Sequence, residues 1–226
     1  MMPVAILAGI GVGLVVGLIN GIIASSFRIP PFITTLGTML IVRGVVQAST
    51  NSYPIAGLPD GVEYLGRGIL FGIPVPVYIM VGVFIVAKII ADKKKAGRFM
   101  YAIGGNEEAA YLSGIKVNKY KILAYVICGI MAGISGIIMV SRLTSGQPKA
   151  GVGYEFEAII AVIIGGVSFA GGKGKVLSVL MGALFVSTLI TGLRIMNVDT
   201  NFQDITKGIV FILAIGIDVL RNRAKK

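Results

Sequence analysis

From Pro3 to Ser25 the chain runs without one charged side chain, and comparable apolar runs recur along its whole length. They cover about Pro31 to Ala48, Val77 to Ala91, Ile122 to Val140, Ala158 to Ala170, Val176 to Leu193 and Lys207 to Leu220. A helix needs roughly 20 predominantly apolar residues to cross the ~30 Å hydrocarbon layer of a bilayer, and most of these runs approach that length. Backbone amides and carbonyls inside hydrocarbon must be paired within the segment, so the expected class is all-α, a polytopic membrane helical bundle. The run ending at Ala170 is short for a span, which predicts a re-entrant or tilted helix. The composition agrees: 55% of the residues are hydrophobic, 14% are charged, and the mean hydropathy is +0.89. The first run is too long for the apolar core of a signal peptide.

Several chemistries are excluded by residue type. The chain has no histidine, which removes a Ser-His-Asp triad and histidine-ligated metals. Its one cysteine, Cys128, offers neither a disulfide framework nor a CxxC pair. The net charge of +11 is not arranged as a basic patch interleaved with aromatics, so nucleic acid is not an expected partner. Gly171-Gly172-Lys173-Gly174 resembles a phosphate loop only superficially: Val167 stands where the first glycine belongs, and Gly174 stands where Ser or Thr is required. A turn is predicted there. No catalytic residues, metal ligands or cofactor are expected.

Gly9, Gly13, Gly17 and Gly21 recur every four residues and so line one face of the first helix. A smooth glycine face lets a second helix approach closely, as a static seam or as a moving contact. Gly129, Gly133 and Gly136 have matching spacing in a later run. Thr34, Thr35 and Thr38 are expected to bond back to carbonyls of their own helix. Arg43 is placed to snorkel toward a membrane surface. Thr50 to Pro76 and Ser141 to Phe156 read as loops rich in proline, glycine and polar residues.

The charges give an orientation. Lys and Arg accumulate on the cytoplasmic side of membrane proteins. Placing Lys88–Lys121 and the basic tail (Arg221, Arg223, Lys225 and Lys226) in the cytoplasm collects most of the 21 basic residues there, with Arg28, Lys173 and Lys175. The other side receives Arg67, Arg142, Lys149, Arg194 and Lys207, together with Asp60, Glu63, Glu155, Glu157, Asp199 and Asp204. Seven crossings that end in the cytoplasm put Met1 outside. The expectation is therefore the C-terminal part of a longer membrane protein, provided Ala158–Ala170 crosses fully.

One polar stretch has helix grammar. In Arg98 to Ile115, Asn106 can N-cap a helix, Glu107 and Glu108 suit the positive end of its dipole, and Gly114 is placed to end it. About eight residues make a rod of ~12 Å, which is marginal alone in water. On these grounds it is either an ornament of a solvated loop or a segment held by a partner.

Three ordered blocks resemble one family. Pro30 to Gly44 (PPFITTLGTMLIVRG), Gly97 to Lys121 (GRFMYAIGGNEEAAYLSGIKVNKYK) and Gln147 to Gly174 (QPKAGVGYEFEAIIAVIIGGVSFAGGKG) are similar to the membrane permease of ribose-type monosaccharide ABC importers. The resemblance extends over essentially the whole chain. It implies a single permease domain over 1–226 that lacks the family's first spans, with a cytoplasmic coupling loop over 92–121. By the same resemblance, Gly104 to Gly114 is the coupling helix that meets a separate ATPase subunit. Gly104, Gly105, Asn106, Glu107, Glu108, Ala109, Leu112, Ser113 and Gly114 are its expected docking residues, with Arg98 and Tyr101 in support. Other implied partners are an extracytoplasmic sugar-binding protein, a second permease copy or paralogue, and the lipid bilayer of a bacterial cytoplasmic membrane. The outer stretches Tyr53–Arg67 and Arg142–Glu157 are candidates for meeting the binding protein. A neutral sugar needs hydroxyl and amide partners, which the spans offer at Asn20, Thr34, Thr35 and Gln47. Two alternatives stay open: a permease for another small solute such as a branched-chain amino acid, and a channel without a motor.

Overall fold

The computed structural model describes residues 2–27, 29–169 and 171–223, with side chains described through residue 220. Arg28, Ala170, Lys225 and Lys226, and the side chains of Arg221 and Arg223, lie outside that description, so the part of the charge map resting on them is not addressed. The described residues form ten α-helices and one two-residue hairpin, as an all-α membrane bundle requires. The helices are α1 (Met2–Ser26), α2 (Pro31–Thr50), α3 (Glu63–Arg67), α4 (Val75–Lys93), α5 (Lys95–Gly105), α6 (Glu107–Leu112), α7 (Val117–Leu143), α8 (Tyr154–Ile164), α9 (Val176–Ile195) and α10 (Thr200–Arg223). Antiparallel strands β1 (Ile69–Leu70) and β2 (Ile73–Pro74) form the hairpin.

Five of these helices, α1, α2, α4, α7 and α9, are long and apolar enough to cross a membrane. At ~1.5 Å per residue, even the 19 residues of α4 reach roughly 28 Å. Their outer faces carry exposed large apolar side chains such as Leu7, Ile41, Ile85 and Phe185, which suit lipid rather than water. The short run forms only an 11-residue helix, α8, which ends at Ile164. The last apolar run sits inside a 24-residue helix with a polar beginning.

The chain divides into two compact units, Met1–Val83 with Gly114–Ala150, and Phe84–Ser113 with Gly151–Lys226. The first unit is built on α1 against α7. A methyl group on Gly13 would collide with the carbonyl oxygen of Gly129, and one on Gly133 would lie 2.8 Å from the carbonyl oxygen of Gly9. Gly21 faces Ile122 in the same way, 2.9 Å from its Cα. As the number rises on α1 it falls on α7, so the two helices are antiparallel with backbone against backbone. The glycine pattern therefore marks a packed seam. Gly136 is the exception: nothing lies within 4 Å of a methyl added there.

The stretch expected to be a plain loop before α4 is ordered. Its α3 sits on the C-terminal end of α7, where the buried Ser141 hydroxyl donates to the Val62 carbonyl and Arg67 Nε donates to the Arg142 carbonyl at 2.9 Å. Ile55 and Gly146 exchange backbone hydrogen bonds of 2.8 and 2.9 Å. The parts of both outer stretches that lie in this unit are thus tied to each other.

In the second unit, Ile160 and Ala161 of α8 pack on Val186 and Ile190 of α9, flanked by Val210 and Phe211 of α10. Glycine again allows the approach: a methyl on Gly182 would strike the Ala161 carbonyl oxygen. Phe156 meets Phe211 edge to face at 6.2 Å, and Lys207 pairs with Glu157 at 3.0 Å, so α10 is fastened to α8.

Gly13→Ala should lower the stability of the full chain by about 1–3 kcal/mol through overpacking. Gly11→Ala, where nothing lies within 4 Å, should be neutral. Thermal unfolding of both variants in detergent or bilayer checks the pair.

Candidate functional site

The polar stretch after α4 is two helices rather than one. Sequence reasoning placed only the short helix and missed α5, although Gly97, Met100, Ile103 and Gly104 recur at helical spacing, with Gly97 and Ile103 buried. α5 turns sharply away from α4: a methyl on Gly97 would lie 2.5 Å from the Ala91 carbonyl oxygen. A single residue, Asn106, joins α5 to α6. Its amide donates to the Ala102 carbonyl at 3.1 Å and so closes α5. Its side-chain Oδ1 accepts from the Ala109 amide at 2.9 Å and so opens α6. Extended backbone at Asn106 (φ −158°, ψ 107°) provides the bend.

The expected caps are therefore in place. Glu107 and Glu108 occupy the first turn of α6. Ser113 Oγ donates to the Ala109 carbonyl at 2.8 Å, and Gly114 follows in the left-handed region at φ +79°, where glycine ends a helix without a Cβ clash. The helix proper has six residues, two fewer than expected. Only Ala110 is buried, while Tyr111 is 69% exposed and Leu112 is 79% exposed. Two large apolar groups beside two carboxylates on so short a helix make a surface suited to a partner rather than to water. Tyr111 was not among the expected docking residues; its signal was an aromatic next to leucine inside a polar segment.

Of the supporting residues, Arg98 is exposed near the start of α5. Tyr101 points back into its own unit, where its hydroxyl donates to the Gly174 carbonyl at 3.1 Å. Gly104 faces the same loop, and a methyl there would lie 2.6 Å from the Gly172 amide nitrogen. The Gly105 backbone lies against Gly172 as well, where a methyl on Gly172 would come 2.6 Å from the Gly105 nitrogen, although a methyl on Gly105 itself would meet nothing within 4 Å. The predicted glycine turn is real, with Gly171, Gly172 and Gly174 all at positive φ.

The polar residues of the spans separate into two groups. In the first unit, α1, α2 and Pro148 line an open cavity of about 350 Å³, with Asn20, Thr35, Thr38 and Arg43 on its wall among apolar neighbours. Thr34 and Gln47 do not line it. Thr35 Oγ1 donates to the Pro31 carbonyl at 3.0 Å and Thr38 Oγ1 to the Thr34 carbonyl at 3.0 Å, as helix-embedded threonines should. Thr34 departs from that expectation: it is buried and its hydroxyl has no partner, as is true of Asn20 Oδ1 and Ser25 Oγ. A buried polar atom without a partner costs about 1–3 kcal/mol, so Asn20 on a cavity wall is a candidate for contact with a polar ligand.

Long apolar helices with exposed apolar surfaces, a glycine seam and an ordered amphiphilic helix outside the spans define a polytopic helical membrane protein. Residues 1–215 match the family described as branched-chain amino acid transport system, permease component, and the chain belongs to that family. It is 43% identical to the ribose import permease protein RbsC of Escherichia coli, over 95% of this chain and 68% of that protein. It is 42% identical to the protein of the same name from Bacillus subtilis, over 88% of this chain and 62% of that protein. The L-arabinose transport system permease protein AraH of Escherichia coli is 36% identical, over 92% of this chain and 63% of its own length. No solved structure matches the chain.

Asn106→Ala should cost about 1 kcal/mol of local stability and speed exchange of the Ala109 amide about fivefold, whereas Asn106→Asp should preserve it. Hydrogen exchange followed by mass spectrometry of the full chain reads both.

Proposed function

We propose that this chain is the membrane permease subunit of an ATP-driven importer, moving a monosaccharide of the ribose type handed over by an extracytoplasmic binding protein. The observation that carries the proposal is α6 itself, a capped helix presenting Glu107, Glu108, Tyr111 and Leu112 in a chain 43% identical to a ribose import permease. In this proposal α5 and α6 lie in the cytoplasm of a bacterial cell, the C-terminus lies on the same side, and the protein works in the cytoplasmic membrane. Hydrolysis of ATP belongs to a separate subunit whose cleft receives α6: Leu112 and Tyr111 supply apolar anchors and the two carboxylates meet a basic rim. The pathway is completed by a second permease copy or paralogue. The tied outer stretches around Ile55, Arg67, Arg142 and Gly146 form a firm platform for the binding protein.

The cavity at Asn20 suits a small hydroxylated solute, since the amide and the Arg43 guanidinium both offer N–H donors. Arg43 also gives the family's other solute class a specific foothold, because a guanidinium pairs with the carboxylate of a branched-chain amino acid. Uptake of labelled ribose, allose, arabinose and leucine by cells carrying the full transporter separates the two.

Replacing Glu107 and Glu108 together by Lys should cut sugar uptake about tenfold or more, a loss of ~1.4 kcal/mol or greater, while membrane insertion is kept. Uptake at the unsubstituted level removes the coupling assignment. Asn20→Leu should likewise lower uptake about tenfold without loss of the ATPase from the purified complex. Failure of any ATPase to co-purify from native membranes would favour a channel without a motor.

A further inference from the structure

We infer that the glycine turn from Gly171 to Gly174 is the receiver through which movement of the coupling segment reaches the membrane helices, with Tyr101 and Gly104 as the positioning residues that grip it. The inference rests on the coupling assignment above and names the mechanical contact that it leaves unspecified.

The grip is backbone on backbone. Tyr101 and Gly104 are three apart on α5 and therefore share a face. At Gly104 the fit excludes even a methyl group, which would lie 2.6 Å from the Gly172 nitrogen; a methyl on Gly171 would lie 2.8 Å from the Gly104 carbonyl oxygen. One turn away, the Tyr101 hydroxyl holds the Gly174 carbonyl at 3.1 Å. No flexible side chain intervenes at Gly104, so a displacement of α5 is not absorbed by a change of rotamer. Packed contacts of this kind are rearranged rather than gradually deformed.

The far side of the turn is fastened as firmly. The Ser168 amide donates to the Lys173 carbonyl at 3.0 Å, which closes the turn on itself. Asp218 of α10 accepts from the Phe169 amide at 3.0 Å and from the Ser168 hydroxyl at 3.3 Å. The turn follows α8, precedes α9 and is held by α10, so a push from α5 reaches three helices of this unit at once. α6 continues directly from α5 through Asn106, whose amide closes the first helix and whose side chain opens the second.

A second glycine of the same unit supplies a matched test. Gly104→Ala should break the grip, and Gly192→Ala on α9, where a methyl would meet nothing within 4 Å, should leave it. The full chain with its co-purified ATPase is trapped with ATP and orthovanadate, and hydrogen exchange is followed in the peptide spanning 171–176. Trapping should alter exchange there in the unsubstituted and Gly192→Ala complexes and not in Gly104→Ala. ATP hydrolysis should continue in the unsubstituted and Gly192→Ala complexes. Sugar moved per ATP should fall on the order of tenfold in Gly104→Ala alone, the size of an ordinary coupling energy. Tyr101→Phe, which keeps the ring and removes only the hydroxyl, should weaken the exchange response and carries the test if Gly104→Ala does not assemble. An unchanged response in Gly104→Ala, or in Tyr101→Phe where Gly104→Ala does not assemble, or none in the unsubstituted complex, overturns the inference. If Gly104→Ala sheds the ATPase, Gly104 belongs to the docking face, and the inference falls while the coupling assignment stands. If the unsubstituted chain retains no ATPase, both fall.

Discussion

Lipid tails are as apolar as leucine, so burying apolar side chains between helices gives little advantage inside a bilayer, and association there depends on how closely atoms can approach. This chain meets that constraint with glycine at several of its closest contacts. Gly13 lies against Gly129, Gly182 against Ala161, Gly97 against Ala91 and Gly104 against Gly172, each so close that a methyl group has no room. The fold within each unit follows from these meeting points. Many large side chains, Leu7, Ile41, Ile85 and Phe185 among them, are turned outward and present a surface that suits hydrocarbon.

The same device serves two purposes. Along α1 and α7 it builds a seam several turns long, suited to holding two spans in a fixed register. At Gly104 it makes a point contact between a helix outside the spans and a turn between two others. A long seam resists sliding, whereas a point contact backed by one tyrosine hydrogen bond can be shifted as a unit. The coupling role proposed for α5 and α6 uses the second arrangement.

Much of this was legible in the sequence because membrane helices announce themselves by length and apolarity. Five of the seven expected spans, the four-residue glycine repeat, the Asn106 cap and the Gly114 stop follow from residue type and spacing alone. What escaped was decided by tertiary partners. α5 is amphipathic but carries four basic residues close together at its start and before it, which read as a charge cluster rather than as a helix. α3 is too short to show a period and exists because Ser141 and Arg142 hold it on the end of α7. Gly136 has the spacing of a contact and no neighbour, and Thr34 has the chemistry of a back-bonding threonine and no bond. Spacing places a residue on a face; only the partner decides whether the face is used.

The α1–α7 seam also sets how the protein responds to temperature. Protein stability in water is strongly curved with temperature because unfolding exposes apolar surface to water and raises the heat capacity. When α1 and α7 part within a bilayer, the glycine faces meet lipid, and almost no apolar surface is hydrated. Their separation therefore carries a small heat-capacity change, and the seam does not weaken on cooling as a water-driven core does.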